Sequence, residues 1–304
     1  GVKTDKQKFI DKVKSNSIAC GLNEILTYSF VSPRGVDKIN LPADDEKRNF
    51  VKIMNPLGEE TSVMRTTLIP NMLDVISTNI SHKVEEVSAF ECGNTFIPQE
   101  GLPIETKKYC VGMYGKEVDF FVLKGVIESV LNNVGLKGYE IEPETTNLTF
   151  HPGRCAKIVY NNIYIGTFGE LHPDVIENYN LGQRVYVAEI NIDTVFENLN
   201  LTKSYNPLPK YPSTSRDIAL IVKDEVFVKQ IEDIIKANGE DLVESYKLFD
   251  VYKGAQIEEG HKSIAYSITY RSKDKTLTDE DVAKVHEKIL SELSEKLNAN
   301  LRSN

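Results

Sequence analysis

Downstream of residue 210 the chain switches between a period of two and a period near 3.6, and that rhythm constrains the fold more than any other feature. Pro207 and Pro209 stiffen the approach and Pro212 sits at the mouth. Asp217 to Val222 then reads as a strand: Ile218, Leu220 and Val222 alternate with Ala219 and Ile221, apolar on both sides. Such a run fits a central strand covered on both faces, or by helices on one face and a ligand on the other. Val228, Ile231, Ile234 and Ile235 follow at helical spacing, and Asn238-Gly239 is a helix stop. Two strands come next, Val243 to Tyr252 and Lys262 to Tyr270, joined by a loop with Gly254 and Gly260. Thr278 caps a second helix, with Asp279, Glu280 and Asp281 in the first turn where carboxylates suit the macrodipole. Its apolar positions Val282, Val285, Ile289, Leu293 and Leu297 repeat at three and four. A short strand about Ala299 to Arg302 ends the segment, and the order strand-helix-strand-strand-helix-strand predicts a ferredoxin-like βαββαβ domain.

The 304 residues leave room for a second domain upstream. Forty per cent hydrophobic against 27% charged residues is a globular balance, and no apolar run approaches the roughly 20 residues that cross a bilayer. Gly1-Val-Lys-Thr offers neither an initiator Met nor the apolar core of a signal peptide, so a piece of a longer chain is expected. Cys20, Cys92, Cys110 and Cys155 form no CxxC pair, which suits reduced thiols in the cytoplasm better than a disulfide or zinc framework. A net charge of −9 argues against indiscriminate nucleic-acid binding, while leaving room for a local basic surface.

In the first 202 residues the pattern predicts a helix over 4–21 with Phe9, Ile10, Val13 and Ile18 on one face, and strands at Leu26 to Val31 and Val51 to Met54. A helix entered through Pro70 follows, then strands at Val87 to Ile97 and Tyr109 to Tyr114, and a helix capped by Asp119 and running to Val134. Residues 155–169 form a hairpin turning at Asn161-Asn162, and Val185 to Ile190 is a strand before a short helix over about 193–199. The class expected is α+β with mostly antiparallel strands. No Walker loop, nucleophile elbow or metal-ligand His pair is present, and His82, His151, His172, His261 and His286 are isolated.

Four stretches of the second region, Tyr211-Pro-Ser-Thr-Ser-Arg-Asp-Ile-Ala-Leu, Leu248-Phe-Asp-Val-Tyr-Lys-Gly254, Glu259-Gly-His-Lys-Ser263 and Thr276-Leu-Thr-Asp-Glu-Asp281, resemble the ferredoxin-fold anticodon-binding domain at the C-terminus of the bacterial phenylalanyl-tRNA synthetase beta subunit. Leu57 to Pro70, Phe90-Glu-Cys-Gly-Asn-Thr-Phe96, His151-Pro-Gly-Arg154 and Gly166-Thr-Phe-Gly-Glu-Leu-His-Pro173 resemble the catalytic-like module of the same subunit. The resemblance implies a non-catalytic class II synthetase-like module over 1–202, a linker over 203–210 and the anticodon-binding domain over 211–304. It implies a partner alpha subunit in an assembly of two alpha and two beta chains, tRNA-Phe as the nucleic-acid partner, and neither DNA nor membrane. ATP and magnesium are expected in the holoenzyme and no cofactor or metal in this piece.

A working class II site needs arginines to clamp ATP phosphates and carboxylates to hold magnesium. Here Arg184-Val-Tyr-Val-Ala-Glu189-Ile-Asn lacks the glycines and the Glu-Arg pair of the last class II motif, and only Arg65 and Arg154 remain, read as salt bridges or subunit contacts. No catalytic residue is therefore expected.

For RNA, period 2 over Leu248 to Tyr252 puts Leu248, Asp250 and Tyr252 on one face, with Phe249 and Val251 on the other as core. Asp250 and Tyr252 then share an open face with Ser263, Ala265, Ser267 and Thr269, where a carboxylate can accept from a guanine edge and a phenol ring can stack. By resemblance Asp250, Tyr252 and Ser263 are the anticodon residues; from the residues alone Tyr252 reads rather as a strand tyrosine on a solvated face. Lys253, Lys262, Arg271, Lys273 and Lys275 either meet phosphates or form a solvated rim, and Arg216 is a phosphate contact or a local ion pair. Against this stands a degenerate synthetase-like scaffold with no role in RNA binding, and, further off, an independent adenylate-forming enzyme.

Overall fold

The computed structural model describes residues 1–199, 208–254 and 256–302. The chain divides into two compact units, Gly1–Thr202 and Lys203–Asn304. Residues 203–207 of the expected linker lie outside the described residues.

The first unit opens with helix α1 (Asp5–Ala19), whose N-cap Thr4 exchanges reciprocal bonds with Gln7. Its buried face is Phe9, Val13 and Ser17, not Ile18, which is exposed. The Ser17 hydroxyl lies 2.7 Å from the buried Tyr109 hydroxyl, so a polar residue holds a core position because its partner is there. There follow β1 (Asn23–Glu24), β2 (Phe30–Val31), α2 (Gly35–Lys38), β3 (Val63–Met64), α3 (Ile69–Ser81), β4 (Val87–Ile97), β5 (Ile104–Tyr114), α4 (Phe120–Val134), β6 (Glu140–Pro143), β7 (Phe150–Tyr160), β8 (Ile163–Leu171), α5 (Pro173–Asn178), β9 (Tyr186–Asn191) and α6 (Ile192–Glu197).

Seven strands form one sheet in the order β1-β4-β5-β9-β8-β7-β6, and among the described residues β1–β4 is its one parallel pair. On one face the sheet residues Phe90, Tyr109, Val111 and Ile190 pack with α1, α4 and α6; on the other, Ala89, Cys110, Tyr114 and Val187 pack with α2, α3 and α5. Asp119 accepts a bond from the Val122 amide, as an N-cap should. Asn161 and Asn162, both at positive φ, close the β7–β8 hairpin. Gly166 is required by close approach, since a Cβ there would stand 2.4 Å from the Glu189 carbonyl oxygen on β9.

Two expected strands are shorter than the pattern predicts. Leu26 to Val31 pairs only at Phe30–Val31: Leu26 and Tyr28 face solvent, and the Tyr28 carbonyl accepts from the Asn71 side-chain amide at 3.2 Å. Val51 to Met54 reduces to a single bridge, Lys52 to Val63.

The second unit is β10 (Thr214–Lys223), α7 (Val228–Asn238), β11 (Val243–Tyr252), β12 (His261–Tyr270), α8 (Asp279–Leu297) and β13 (Asn300–Leu301). All its strands pair antiparallel in the order β11-β12-β10-β13, which is the expected ferredoxin-like arrangement with β10 internal. Ile218, Leu220 and Val222 of β10 and Ile264, Tyr266, Ile268 and Tyr270 of β12 form one core with Ile231, Ile234 and Ile235 of α7 and Val282, Val285, Ile289 and Leu293 of α8. Both helices therefore cover the same face of the sheet. The Tyr270 hydroxyl reaches His286 Nδ1 at 2.9 Å, satisfying a phenol whose ring is fully buried.

Candidate nucleic-acid interface

The face of the second sheet opposite α7 and α8 is built by alternation. Because Ile264, Tyr266, Ile268 and Tyr270 point to the helices, Ser263, Ala265, Ser267 and Thr269 point away. Across the ladder, Ser215, Asp217, Ala219 and Ile221 of β10 stand beside Thr269, Ser267, Ala265 and Ser263. Between β10 and β12 the floor is thus paved mostly with serine, alanine and threonine, low enough for a planar group to come close to the backbone.

β11 contributes the taller groups. Ser245 pairs with Thr269 and Lys247 with Ser267, while Tyr246 and Leu248 pair with Ile268 and Tyr266 on the helix side. After Leu248 the ladder shifts by one residue, so that Asp250 faces Ala265 and Tyr252 faces Ser263. Asp250 and Tyr252 accordingly lie on the open face with Ser263, as period 2 predicts. Leu248 does not: it packs against the helix-side core. Phe249 and Val251 are not core, each being 53% exposed. The β-bulge leaves Phe249 without a cross-strand partner, whereas Val251 still pairs with Ile264 on the helix side and is exposed at the edge of the sheet.

Tyr252 is held rather than free. The Arg302 guanidinium lies 5.5 Å from its ring centroid, and the ring edge folds against Gly254, where a Cβ would meet the phenol oxygen at 2.5 Å. Arg302 is fixed in turn by its amide donating to the Ala219 carbonyl and by its side chain donating to Gln256, at 2.9 and 3.0 Å. Sequence reasoning missed both Arg302 and Gly254 as neighbours of Tyr252; the available signal was the short last strand, whose end the β10 pairing carries onto this face. Ser263 is only 3% exposed, so a ligand reaching its hydroxyl displaces neighbouring side chains first.

The six basic candidates are mostly engaged. Arg216 pairs with Asp279 at 2.8 Å, the ion-pair alternative. Lys253 pairs with Asp224, and Lys262 donates to the Asp224 carbonyl at 2.8 Å, burial lowering its pKa. Arg271 donates to Glu244 and to the Tyr211 carbonyl, and Lys275 to Asp281 at 2.9 Å. That bond, with those from Thr278, holds the Asp281 carboxyl down at about 2. Lys273 is exposed. Pairs of this kind at a surface contribute little, so a phosphate can replace the carboxylate at small cost.

In the first unit the sheet face under α3 carries Glu91 and Glu189. Arg65 Nη2 donates to Glu91 Oε1 at 2.9 Å, with the pair 3% and 1% exposed, and Thr27 Oγ1 donates to the other carboxylate oxygen at 2.6 Å. The remaining Arg65 nitrogens donate to the Asn94 carbonyl and Thr27. Glu189 Oε1 accepts from the Thr67 hydroxyl and the Leu68 amide, both at 2.7 Å. Arg154 is paired with Glu170. Among the described residues no three His, Cys, Asp or Glu side chains are grouped to hold a metal ion. Carboxylates and arginines that already satisfy one another do not fit an ATP–magnesium group on this face. Burial pushes the Cys92 and Cys155 thiols up to about 12, so neither is a ready nucleophile.

Over 64% of its length the chain is similar in fold to 66% of a pyrrolysyl tRNA synthetase from Desulfitobacterium hafniense, with a TM-score of 0.53 at 12% identity. A model of the ferredoxin-fold anticodon binding domain matches residues 209–302. The phenylalanine–tRNA ligase beta subunit of Clostridium tetani is 47% identical over 99% of this chain, and that of Clostridium acetobutylicum 46% identical over 99%. The beta subunit of Moorella thermoacetica is 36% identical over 97%. The chain spans 38% of the length of each of these relatives. Residues 1–192 match the model described as the phenylalanyl tRNA synthetase beta chain CLM domain, and the chain belongs to that family.

Proposed function

We propose that this chain serves a phenylalanine–tRNA ligase as the part of its beta subunit that assembles with the alpha subunit and reads the tRNA-Phe anticodon, in the cytoplasm. The observation that carries the reading is the helix-free, low-paved sheet face on which Asp250 and Tyr252 share the open side, in a domain that matches the anticodon-binding family. A carboxylate there accepts from the Watson–Crick edge of a guanine, and the phenol ring stacks a splayed base. Phosphates are met by Lys273 and by cations exchanging their carboxylate partners, Lys253, Arg271 and Lys275 first. Adenylate chemistry, with its ATP and magnesium, belongs to the alpha chain, and the first unit supplies structure.

Support for a protein partner comes from the lobe formed by residues 26–31 and 52–64. Leu26, Tyr28, Met54 and Leu57 are all strongly exposed there, and Leu26 and Tyr28 line the rim of a cleft of about 720 Å³ between β2 and α3. Apolar side chains crowded on one lobe mark an interface.

The test titrates tRNA-Phe against the assembled enzyme at fixed salt. One base stack is worth about 1–3 kcal/mol, so Tyr252→Ala is expected to weaken binding by that amount, against a folding cost of about 0.5–1 kcal/mol for the lost Arg302 contact. Parent-like affinity would reject the assignment. The scaffold-only alternative draws on the ion pairs that already occupy the basic candidates, and the same titration separates the two.

A further inference from the structure

The last strand brings one more cation onto the face that carries Tyr252. Leu301 pairs with the core residue Leu220, so the next rung sets Arg302 beside Ala219 on the helix-free side, and the Arg302 amide donates to the Ala219 carbonyl at 2.9 Å. Ala219 pairs with Ala265, and Ala265 with Asp250. One row across the sheet therefore reads Asp250, Ala265, Ala219, Arg302. It sets a carboxylate and a guanidinium at opposite edges, about 14 Å apart at the backbone over three strand spacings, with two methyl groups between them. Above that floor the guanidinium meets the ring of Tyr252, which stands one row along, at 5.5 Å from the ring centroid.

Arg302 differs from the other basic residues of this unit in what surrounds its charge. Arg216, Lys253, Arg271 and Lys275 each pair with a carboxylate. Among the described residues Arg302 pairs with none: its side chain donates to the neutral Gln256 at 3.0 Å and lies over a neutral ring. A guanidinium held this way keeps its charge for an incoming anion, and gives up one exposed hydrogen bond and a cation–π contact to meet it. We infer that Arg302 is a phosphate-binding residue, turning from Tyr252 to the backbone of the nucleotide whose base stacks on that ring. This rests on the reading of the open face as an RNA surface. The planar fork matches two phosphate oxygens at once, and the base takes the guanidinium's place over the phenol. Asp250 at the opposite edge repels the same phosphate, so the two charges fix the nucleotide's direction, base toward β11 and backbone toward β13.

The test titrates tRNA-Phe at several salt concentrations against the assembled synthetase, as the parent and carrying Arg302→Ala, Arg302→Lys or Tyr252→Ala. One phosphate contact on a single strand contributes about 0.7 to the slope of log affinity against log salt. Arg302→Ala is therefore expected to flatten that slope by about 0.7 and to bind about 5-fold more weakly at about 0.1 M salt, the difference closing toward about 1 M. Arg302→Lys retains the charge and the parent slope. Tyr252→Ala weakens binding at every salt concentration and leaves the slope unchanged, since a base stack releases no counterion. Weaker binding by Arg302→Ala with the parent slope means that Arg302 only props Tyr252, and overturns the inference. Parent-like binding by Arg302→Ala throughout, beside weakened binding by Tyr252→Ala, also overturns it; in both cases the reading of the face stands. Parent-like binding by both Arg302→Ala and Tyr252→Ala ends that reading and the inference together.

Discussion

Replacing Arg65 with Met tests whether the first unit's class II-like face is structural. The guanidinium donates to Glu91, Thr27 and the Asn94 carbonyl, and it sits with Glu91 almost wholly out of water. Arg65→Met fills part of the space but leaves the Glu91 carboxylate buried with Thr27 as its remaining partner, and the Asn94 carbonyl without its donor. Removing one member of a buried ion pair costs about 3–5 kcal/mol, because the other charge stays desolvated. Domains of this kind have about 5–15 kcal/mol in total, so the loss is a large share. At a slope of about 2 kcal/mol per molar urea, the unfolding midpoint by far-UV circular dichroism drops by about 2 M. The double variant Arg65→Met with Glu91→Leu removes both charges and is expected to recover most of that loss, a coupling that a cycle of the four proteins measures. A shift below about 0.5 M for the single variant, or a double variant no better than the single, would refute the claim that this pair holds the face together.

Three further outcomes follow from the geometry. Gly166→Ala places a Cβ against the Glu189 carbonyl and the Ile190 Cα, backbone atoms that cannot rotate away, so a loss of about 1–3 kcal/mol or more is expected in urea unfolding, and a change below about 0.5 kcal/mol contradicts it. Burial, and secondarily the Arg216 charge, lowers the pKa of His286 from its ordinary 6.5; the stability this links is therefore present above about pH 6.5 and is lost as pH falls through the lowered folded value, and His286→Asn flattens the dependence measured between about pH 5 and 7. Met54→Asp with Leu57→Asp puts charge into the exposed apolar lobe, and co-purification of the alpha subunit falls with no change in melting temperature; undiminished recovery of alpha removes this lobe from the interface.

The second unit was readable because its periods are clean and its caps are local. Thr278 bonds to Asp281 three residues on, and Asp119 in the first unit to Val122, so the signal lies within one turn of helix. What stayed illegible depends on distant partners. Ser17 takes a core position from Ile18 because Tyr109 waits 92 residues away. Alternation along β11 misplaced Leu248, since period 2 assumes a ladder without insertions and a bulge carries no mark in sequence; it put Val251 on the correct side but not in the core, because an edge strand leaves Phe249 and Val251 half exposed. The pairing of Asp250 and Tyr252 survived only because both lie on the same side of the bulge. Arg302 over Tyr252 needs the β10–β13 pairing, which no local pattern reveals.

β11 is also an outer boundary of its sheet, and a straight boundary strand invites another polypeptide to add itself through backbone hydrogen bonds. Here the ladder runs uninterrupted only over Ser245–Leu248 and Asp250–Tyr252, broken by the irregularities at Glu244 and Phe249, with an exposed lysine at 247. A newcomer finds no long stretch in register to copy. The chain can therefore keep a lightly paved sheet face free of helices while its border discourages stacking into fibrils.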